Sequence, residues 1–559
     1  MHAVEGESGD EPLLPRRSRC ALTFASIIAL TSSISGFSFG YEIGIIDGVL
    51  AMPSFRLYFG TALVSGDDGF AVVESESAAD TAGWIVSSFL LGAMIGSALA
   101  AFSADAFGRR SSILLGGTFF AVGGALQAAA GGLASLIFGR ILSGVGVGLM
   151  SSVSPLFIAE TAAPVNRGKL VAAQQLLITV GIFCASTVNA IILGLSAASS
   201  GTRDDKQWRA ALAAQVIPGL LVVILVARLP ESPRWLVARG RTRDAANVIA
   251  ALREKAADSK LVADEVAGIV KEMEGEGFAP PPPAGVDPSD VVGGEGEKDA
   301  LASTGRAAHA VSCVGHCVSL RGRVLELFAS GDSRRRALLV VGLQVWQQLT
   351  GINIILYYAA DLMERAGAAS REQAATTLVV ANSALLIFGT LPGMALLDNV
   401  RVGRRGLLIY GAFAMAATHV AFAMAVLAGS RTPTSALAYT AVAAMMTFTV
   451  AFSATWGPTV WVFVAEALPL RVRGAGIAIG TLANWSTNAL IGKFAPLCIK
   501  ALGGWTYIIL ALLCALMGVY SWALVPETAG RSLEDVALNL WGGAGKNDGH
   551  DKEEGGTAT

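Results

Sequence analysis

Two stretches set side by side decide the fold: Asp105-Ala106-Phe107-Gly108-Arg109-Arg110 and Asp398-Asn399-Val400-Arg401-Val402-Gly403-Arg404-Arg405. The first follows the second apolar segment of the chain, the other follows the eighth. A second pair keeps the same order. Ala159-Glu160, then six residues, then Arg167-Gly168 is matched by Ala465-Glu466, six residues and Arg473-Gly474. One such match could be chance. Two in the same order, after equivalent segments, imply a duplicated unit. Repeats of this kind place a substrate at the interface between halves, near the bilayer midplane.

Around these marks lie about twelve segments of the roughly 20 apolar residues that a membrane helix needs. They fall near 21–47, 82–104, 111–131, 133–157, 168–195 and 209–229, then 337–361, 374–397, 405–428, 436–465, 474–499 and 504–525. Composition agrees. The 559 residues are 53% hydrophobic and 15% charged, against roughly 25% charged in soluble domains. Mean hydropathy is +0.57. One water-soluble core cannot hide that much apolar surface, because cores stop growing at about 250–300 residues. The 64 glycines suit closely packed membrane helices. A net charge of −2 gives no reason to expect a nucleic-acid partner. The first apolar stretch follows Arg16, Arg17 and Arg19 but runs on to about Val49, too long for a signal-peptide core.

Basic residues favour the cytoplasm. They cluster in one set of loops, at Arg109/Arg110, Arg167/Lys169, Arg404/Arg405 and Arg471/Arg473, while the loop 51–81 is acidic. Both termini are therefore expected in the cytoplasm. The expected organisation is a tail 1–20, a six-helix bundle 21–229, a cytoplasmic loop 230–336, a second bundle 337–525 and a tail 526–559. The loop holds a helical stretch at 241–256, a disordered Pro/Gly/acidic tract from about 277 to 300, and a helical stretch at 320–330. The six cysteines are scattered and form no disulfide framework. Cys313, His316 and Cys317 lie close together but match no strong zinc spacing. No metal and no cofactor is expected.

The motifs resemble those of the sugar porter family of the major facilitator superfamily. Beside the paired Gly-Arg-Arg and Glu/Arg marks, the resemblance rests on Pro230-Glu-Ser-Pro-Arg-Trp-Leu236, on Gln347-Gln-Leu-Thr-Gly-Ile-Asn353 with Tyr357-Tyr358, and on Pro526-Glu-Thr-Ala-Gly-Arg-Ser-Leu533. It covers about 21–260 and 320–540. It implies an all-α membrane protein of two pseudo-symmetric six-helix bundles.

A sugar offers a ring of hydroxyls and an apolar face. Amides suit it because they donate and accept at once, and aromatics cover its C–H groups. A stranded buried hydroxyl partner costs about 1–3 kcal/mol, which is a source of selectivity. Gln347 and Asn353 lie about 600° apart along an unbroken helix and would not share a face. Gly351 is a reason to expect a break between them. By resemblance, Gln347, Gln348 and Asn353 bind sugar hydroxyls, and Gln175, Asn382 and Asn484 match further contact positions. Trp461 and Trp485 match stacking tryptophans. Phe39 is a further aromatic contact, and Tyr357 belongs to the same motif. For each residue the plainer alternative is helix–helix packing. Ile182 stands where some bacterial relatives carry a glutamine, which leaves the sugar's identity open.

Glu42 and Arg140 lie inside the first and fourth segments. An intramembrane charge needs a partner and marks function by default. Pairing the two is the natural solution, and the resemblance implies proton coupling at an acid in the position of Glu42. A static ion pair in a facilitator is the alternative. Asp47 reads as a solvated helix end, and Lys493 and His419 as structural. At the cytoplasmic side, Asp105, Arg109, Arg110, Glu160, Arg167, Glu231, Arg234, Arg404, Arg405, Glu466, Arg473, Glu527 and Arg531 form a gate by resemblance. There, charges on the two halves latch the inner face. Two departures weaken that latch: Ala106 replaces a basic residue, and Asp398 stands two residues further from its Gly-Arg-Arg than Asp105 does.

The expected function is secondary active uptake of a monosaccharide, a hexose such as glucose, with a proton, by alternating access. A facilitative uniporter, a polyol, inositol or pentose carrier, and a non-transporting sugar sensor are the alternatives. No nucleophile–base pattern or phosphate loop points to an enzyme. The expected partners are the sugar, the proton and membrane lipid, in the plasma or an endomembrane, with the chain acting as a monomer.

Overall fold

The computed structural model describes residues 24–65, 71–74, 78–162, 167–198, 205–275, 322, 325, 327–329, 331–397, 399, 401–468 and 470–529. Among them, eleven helical segments are long and apolar enough to cross a membrane. The first six spans are Ser26–Ala51, Ala78–Ala106, Arg109–Ala128, Leu133–Thr161, Ala172–Leu195 and Lys206–Val226. The seventh to tenth are Gly331–Arg365, Ala374–Leu397, Gly403–Gly429 and Ser435–Ala467, and the last is Trp505–Leu524. The eleventh position is filled by the helix Leu470–Leu502, 33 residues long. Asn484, Asn488 and Lys493 dilute its apolar character, yet at about 1.5 Å per residue it is long enough to span.

Packing repeats the sequence duplication. In the first half the first span lies along the fifth, the second and third along the fourth, and the third along the sixth. In the second half the seventh lies along the eleventh, the eighth and ninth along the tenth, and the ninth along the twelfth. The halves meet where the second span packs on the eleventh and the fifth on the eighth. Backbones touch where side chains are absent: a Cβ on Gly144 would sit 2.0 Å from the Phe89 carbonyl oxygen. Van der Waals packing through small residues is the association force left when lipid is as apolar as leucine.

Two spans are interrupted. The seventh divides into Gly331–Leu349 and Ile352–Arg365 around Gly351, whose φ of 83° is left-handed. Its second part bends again at Tyr358 (φ −135°, ψ 24°). The tenth divides into Ser435–Ala454 and Trp456–Ala467.

Outside the spans, the loop after the first span holds a short helix, Pro53–Tyr58, with proline at its first turn. The same loop carries an antiparallel hairpin, Ala62–Ser65 with Ala71–Glu74, beside the otherwise all-α fold. Its valines favour strands. The central loop forms Pro233–Ala238, Thr242–Arg253 and Lys260–Gly275 around a small core of Leu236, Val237, Ile249 and Val262. The expected helix at 241–256 is thus present, ending at Glu254 in a left-handed turn. The Pro/Gly/acidic tract, Cys313, His316, Cys317, Asp398 and Arg531 lie outside the described residues, as does nearly all of both tails.

Candidate functional site

Five glutamines and asparagines meet at the centre of the second half. Gln344, Gln347 and Gln348 stand at helical spacings of three and four, on one face of the seventh span. Asn484 of the eleventh span reaches across to all three. Its Nδ2 donates to the side-chain oxygens of Gln344 (2.7 Å) and Gln347 (3.0 Å), and its Oδ1 accepts from Gln348 (2.9 Å). Asn353 donates to the Gln348 side-chain oxygen across the break at Gly351. The left-handed turn at Gly351 brings Gln348 and Asn353 together, while no hydrogen bond among the described residues joins Asn353 to Gln347. Gln347 Nε2 also donates to the Trp456 and Gly457 carbonyls, at 3.0 and 3.4 Å.

The first half faces this network. Gln175 is half-buried, and its Nε2 lies 3.3 Å from where a Cβ on Gly457 would be. Gln175 and Gln347 therefore approach the same backbone. Trp461, half-buried, follows Gly457 by one turn. Trp485 is fully buried, with Phe39 at 4.9 Å and Phe89 at 6.3 Å edge-on, and its indole donates to Ser151 (3.4 Å). Tyr357 donates to Asn488 (3.4 Å). Asn382 is buried in the eighth span, and its side-chain oxygen has no partner among the described residues. Among the described residues no hydrogen bond joins it to the amide network.

Glu42 and Arg140 pair at 3.1 Å, each 1% exposed. The guanidinium is held on every side. It donates to the Ile85 carbonyl and to Gln127 (3.5 Å), and stands 5.7 Å above the Phe89 ring. Gln127 is held in turn by Ser143 (2.9 Å). The second carboxylate oxygen of Glu42 is buried and has no such partner. Arg140 is therefore a fixed member of the first half, and Glu42 is attached to it through one oxygen.

At the basic face the two repeats build the same structure twice. Glu231 accepts from the amides of Arg109 (2.9 Å) and Arg110 (3.2 Å), and Glu527 from those of Arg404 and Arg405, both 3.0 Å. Each carboxylate thus caps a helix N-terminus, where the free N–H groups and the dipole favour negative charge. Glycine is required at both caps: a Cβ on Gly108 or Gly403 would lie 2.3 or 2.1 Å from the carboxylate. The first arginine of each motif then pairs within its own half, Arg109 with Glu160 (2.9 Å) and Arg404 with Glu466 (3.0 Å). The expected latch between halves is not what these pairs make; each knits together one half. Asp105 joins Arg109 at 3.3 Å, and Arg473 donates to the Leu468 carbonyl. Arg234 sits in the helix Pro233–Ala238. Arg167 begins the helix Arg167–Ala198.

Three residues depart from or sharpen the sequence reading. Asp47 is buried at 3% exposure and is not a solvated helix end, because the seventh span's second part packs over it. His419 is buried with Nε2 2.8 Å from the Thr350 carbonyl, which the break at Gly351 leaves without its helical partner. Lys493 pairs with Asp80 (2.5 Å). Near Asp47 lies a cavity of about 170 Å³, floored by Tyr357 and Tyr358, on the face opposite the basic clusters.

The sugar (and other) transporter profile matches residues 28–282 and 303–540. The chain belongs to that family. It is a membrane transporter of the major facilitator fold and not an enzyme. Relatives of this sugar (and other) transporter family chain include the galactose–proton symporter of Escherichia coli K12, 30% identical over 533 residues, covering 94% of this chain and 96% of that one. Among solved structures, the proton:xylose symporter XylE bound to 6-bromo-6-deoxy-D-glucose superposes with a TM-score of 0.71 at 26% identity, covering 93% and 99%. The inward-open form of XylE from E. coli superposes at 0.64, also at 26% identity, covering 93% and 100%. The present conformation is thus nearer the sugar-analogue complex than the inward-open form.

Sequence reasoning missed several neighbours. Gln344 and Asn488 were findable, since each stands four residues from a chosen amide. Ser151 and the carbonyls of Trp456 and Ile85 carried no signal, because only the packing of distant spans brings them to the site.

Proposed function

We propose that this chain takes up a monosaccharide, a hexose such as glucose, together with a proton by alternating access. The observation that carries the reading is the pairing of two unlike buried centres. One is the Glu42–Arg140 ion pair in the first half. The other is the neutral amide network of Gln347, Gln348, Asn353 and Asn484 in the second. A sugar exchanges those amide–amide bonds for hydroxyl–amide bonds and stacks on the indoles of Trp461 and Trp485. Gln175, Asn382, Phe39 and Tyr357 close the pocket around it.

Glu42 has one oxygen on Arg140 and one buried without a partner. Separating the pair, by a shift of the first span against the fourth within the first half, lets Glu42 take up a proton, because burial disfavours the charge and Arg⁺ no longer offsets it. Glu42 loads a proton from outside and releases it when its pair with Arg140 closes again. Uptake therefore rises as external pH falls. Carrying one charge through 100 mV adds about 2.3 kcal/mol, roughly a fifty-fold concentration ratio.

The excess of Lys and Arg in the loops holding the Gly-Arg-Arg motifs supports placing that face, and both termini, in the cytoplasm. The chain acts as a monomer in the plasma membrane or an endomembrane. Its two inner clusters stiffen each half so that it moves as a unit.

In proteoliposomes, the protein should concentrate labelled hexose under an inward pH gradient and lose that ability with a protonophore. Glu42→Gln should keep sugar exchange and lose concentration. A mutant that still accumulates sugar would disprove the coupling role. The second reading, a facilitator, follows from the same ion pair remaining closed throughout, and predicts no accumulation by the native chain.

A further inference from the structure

The seventh span is broken twice, and the two breaks are held from different places. At Gly351 the freed Thr350 carbonyl is met by Nε2 of His419, in the ninth span of the same half. At Tyr358 the backbone leaves the helical region, and the N–H of Ala360 donates to Oδ1 of Asp47, in the first span of the other half (3.5 Å). A support from within one half survives a movement of the halves. A support from across them does not.

Asp47 is unusual among the charged groups around it. It is 3% exposed, and its second carboxylate oxygen has no partner among the described residues. Two cations lining the same cavity, Arg365 and Arg371, have acidic partners close by. Arg365 pairs with Asp361 (2.7 Å), and Arg371 with Asp361 and with Glu364 (2.7 Å). A backbone donor freed by a kink is therefore the partner Asp47 takes. The other pairing of halves on this face, Lys493 with Asp80, is largely solvated at Asp80, and exposed pairs contribute about 0–1 kcal/mol.

We propose that Asp47 is the latch of the outer gate. Its side-chain oxygen holds the kinked outer part of the seventh span, with Tyr357 and Tyr358, closed over the amide pocket. Opening the amide pocket to the outside requires that bond to break. Asp47 is a positioning residue and touches no substrate in this arrangement. The proposal rests on the transport reading for the direction of the gate, but the opening itself can be measured without any sugar flux.

The test uses Ala360→Cys, placed in the full chain with its six native cysteines changed to serine. Labelling by a membrane-impermeant thiol reagent from outside is timed in intact cells. Asp47→Ala should speed labelling about tenfold, as loss of one hydrogen bond to a charged group predicts. Asp47→Asn keeps an acceptor oxygen and should label within about twofold of the parent. In the otherwise native chain, uptake by Asp47→Ala should show a lower KM and a lower maximal rate, because the outward-open state is favoured and return is slowed. Equal labelling of Asp47→Ala and the parent overturns the latch. So does Asp47→Asn labelling as fast as Asp47→Ala. Normal labelling shifts in a chain that moves no sugar would support the latch and count against the transport reading instead.

Discussion

The two halves share one skeleton and bury opposite chemistry. Both fold the same span pairings, and both cap a Gly-Arg-Arg helix with a glutamate from the end of the bundle, Glu231 in one and Glu527 in the other. Yet the first half buries an ion pair at its heart, and the second buries neutral amides. Where duplication kept a residue, its task is to hold the half rigid. Where the halves diverged, their residues carry the separate tasks proposed here, proton and sugar.

The largest expected effect breaks the charged half. Arg140→Ala leaves Glu42 buried without its counter-ion, which costs about 3–5 kcal/mol. Thermal unfolding in detergent should show a marked fall in Tm or no folded protein. The double change Glu42→Leu with Arg140→Met should recover much of that loss and still fail to concentrate sugar. Recovery of both would dissolve the contrast between the halves.

Next, Gln348→Ala should weaken sugar affinity by about 1–3 kcal/mol, roughly five- to a hundred-fold. Binding to purified protein checks this, and the pH dependence of uptake should keep its shape. A changed pH profile would mean that the amide network and the ion pair are not separate devices.

The shared skeleton predicts equality. Glu231→Ala and Glu527→Ala each remove a helix-capping carboxylate, at about 0.5–2 kcal/mol. Their Tm shifts should match closely, since the two caps accept from equivalent amides. A large difference would show that one inner cluster alone carries the gate. The smallest effect belongs to Lys493→Met, which removes a pair exposed at Asp80 and should change stability by less than about 1 kcal/mol.

Much of this could be read before any coordinates. Glu42 and Arg140 announced themselves because a charge in an apolar run has few solutions. Gly351 betrayed a break because the amides on either side of it could not otherwise share a site. Asp47 misled because position along a span says nothing about what packs over it. At the basic face, opposite charges in both halves suggested bonds between them, whereas Arg109 and Arg404 each pair with a glutamate of their own half.

What the sequence determined by itself was the membrane solvent, the repeat and the kinds of side chain buried. Hydropathy, spacing and charge are properties of short stretches, and short stretches set helices. What only the tertiary structure decided was partnership: Asn484 with three glutamines, Asp47 with a backbone amide of the other half, Glu231 and Glu527 with helix ends. Those pairings join residues more than a hundred positions apart. They exist only because packing the spans brings together polar groups that the chain places far apart.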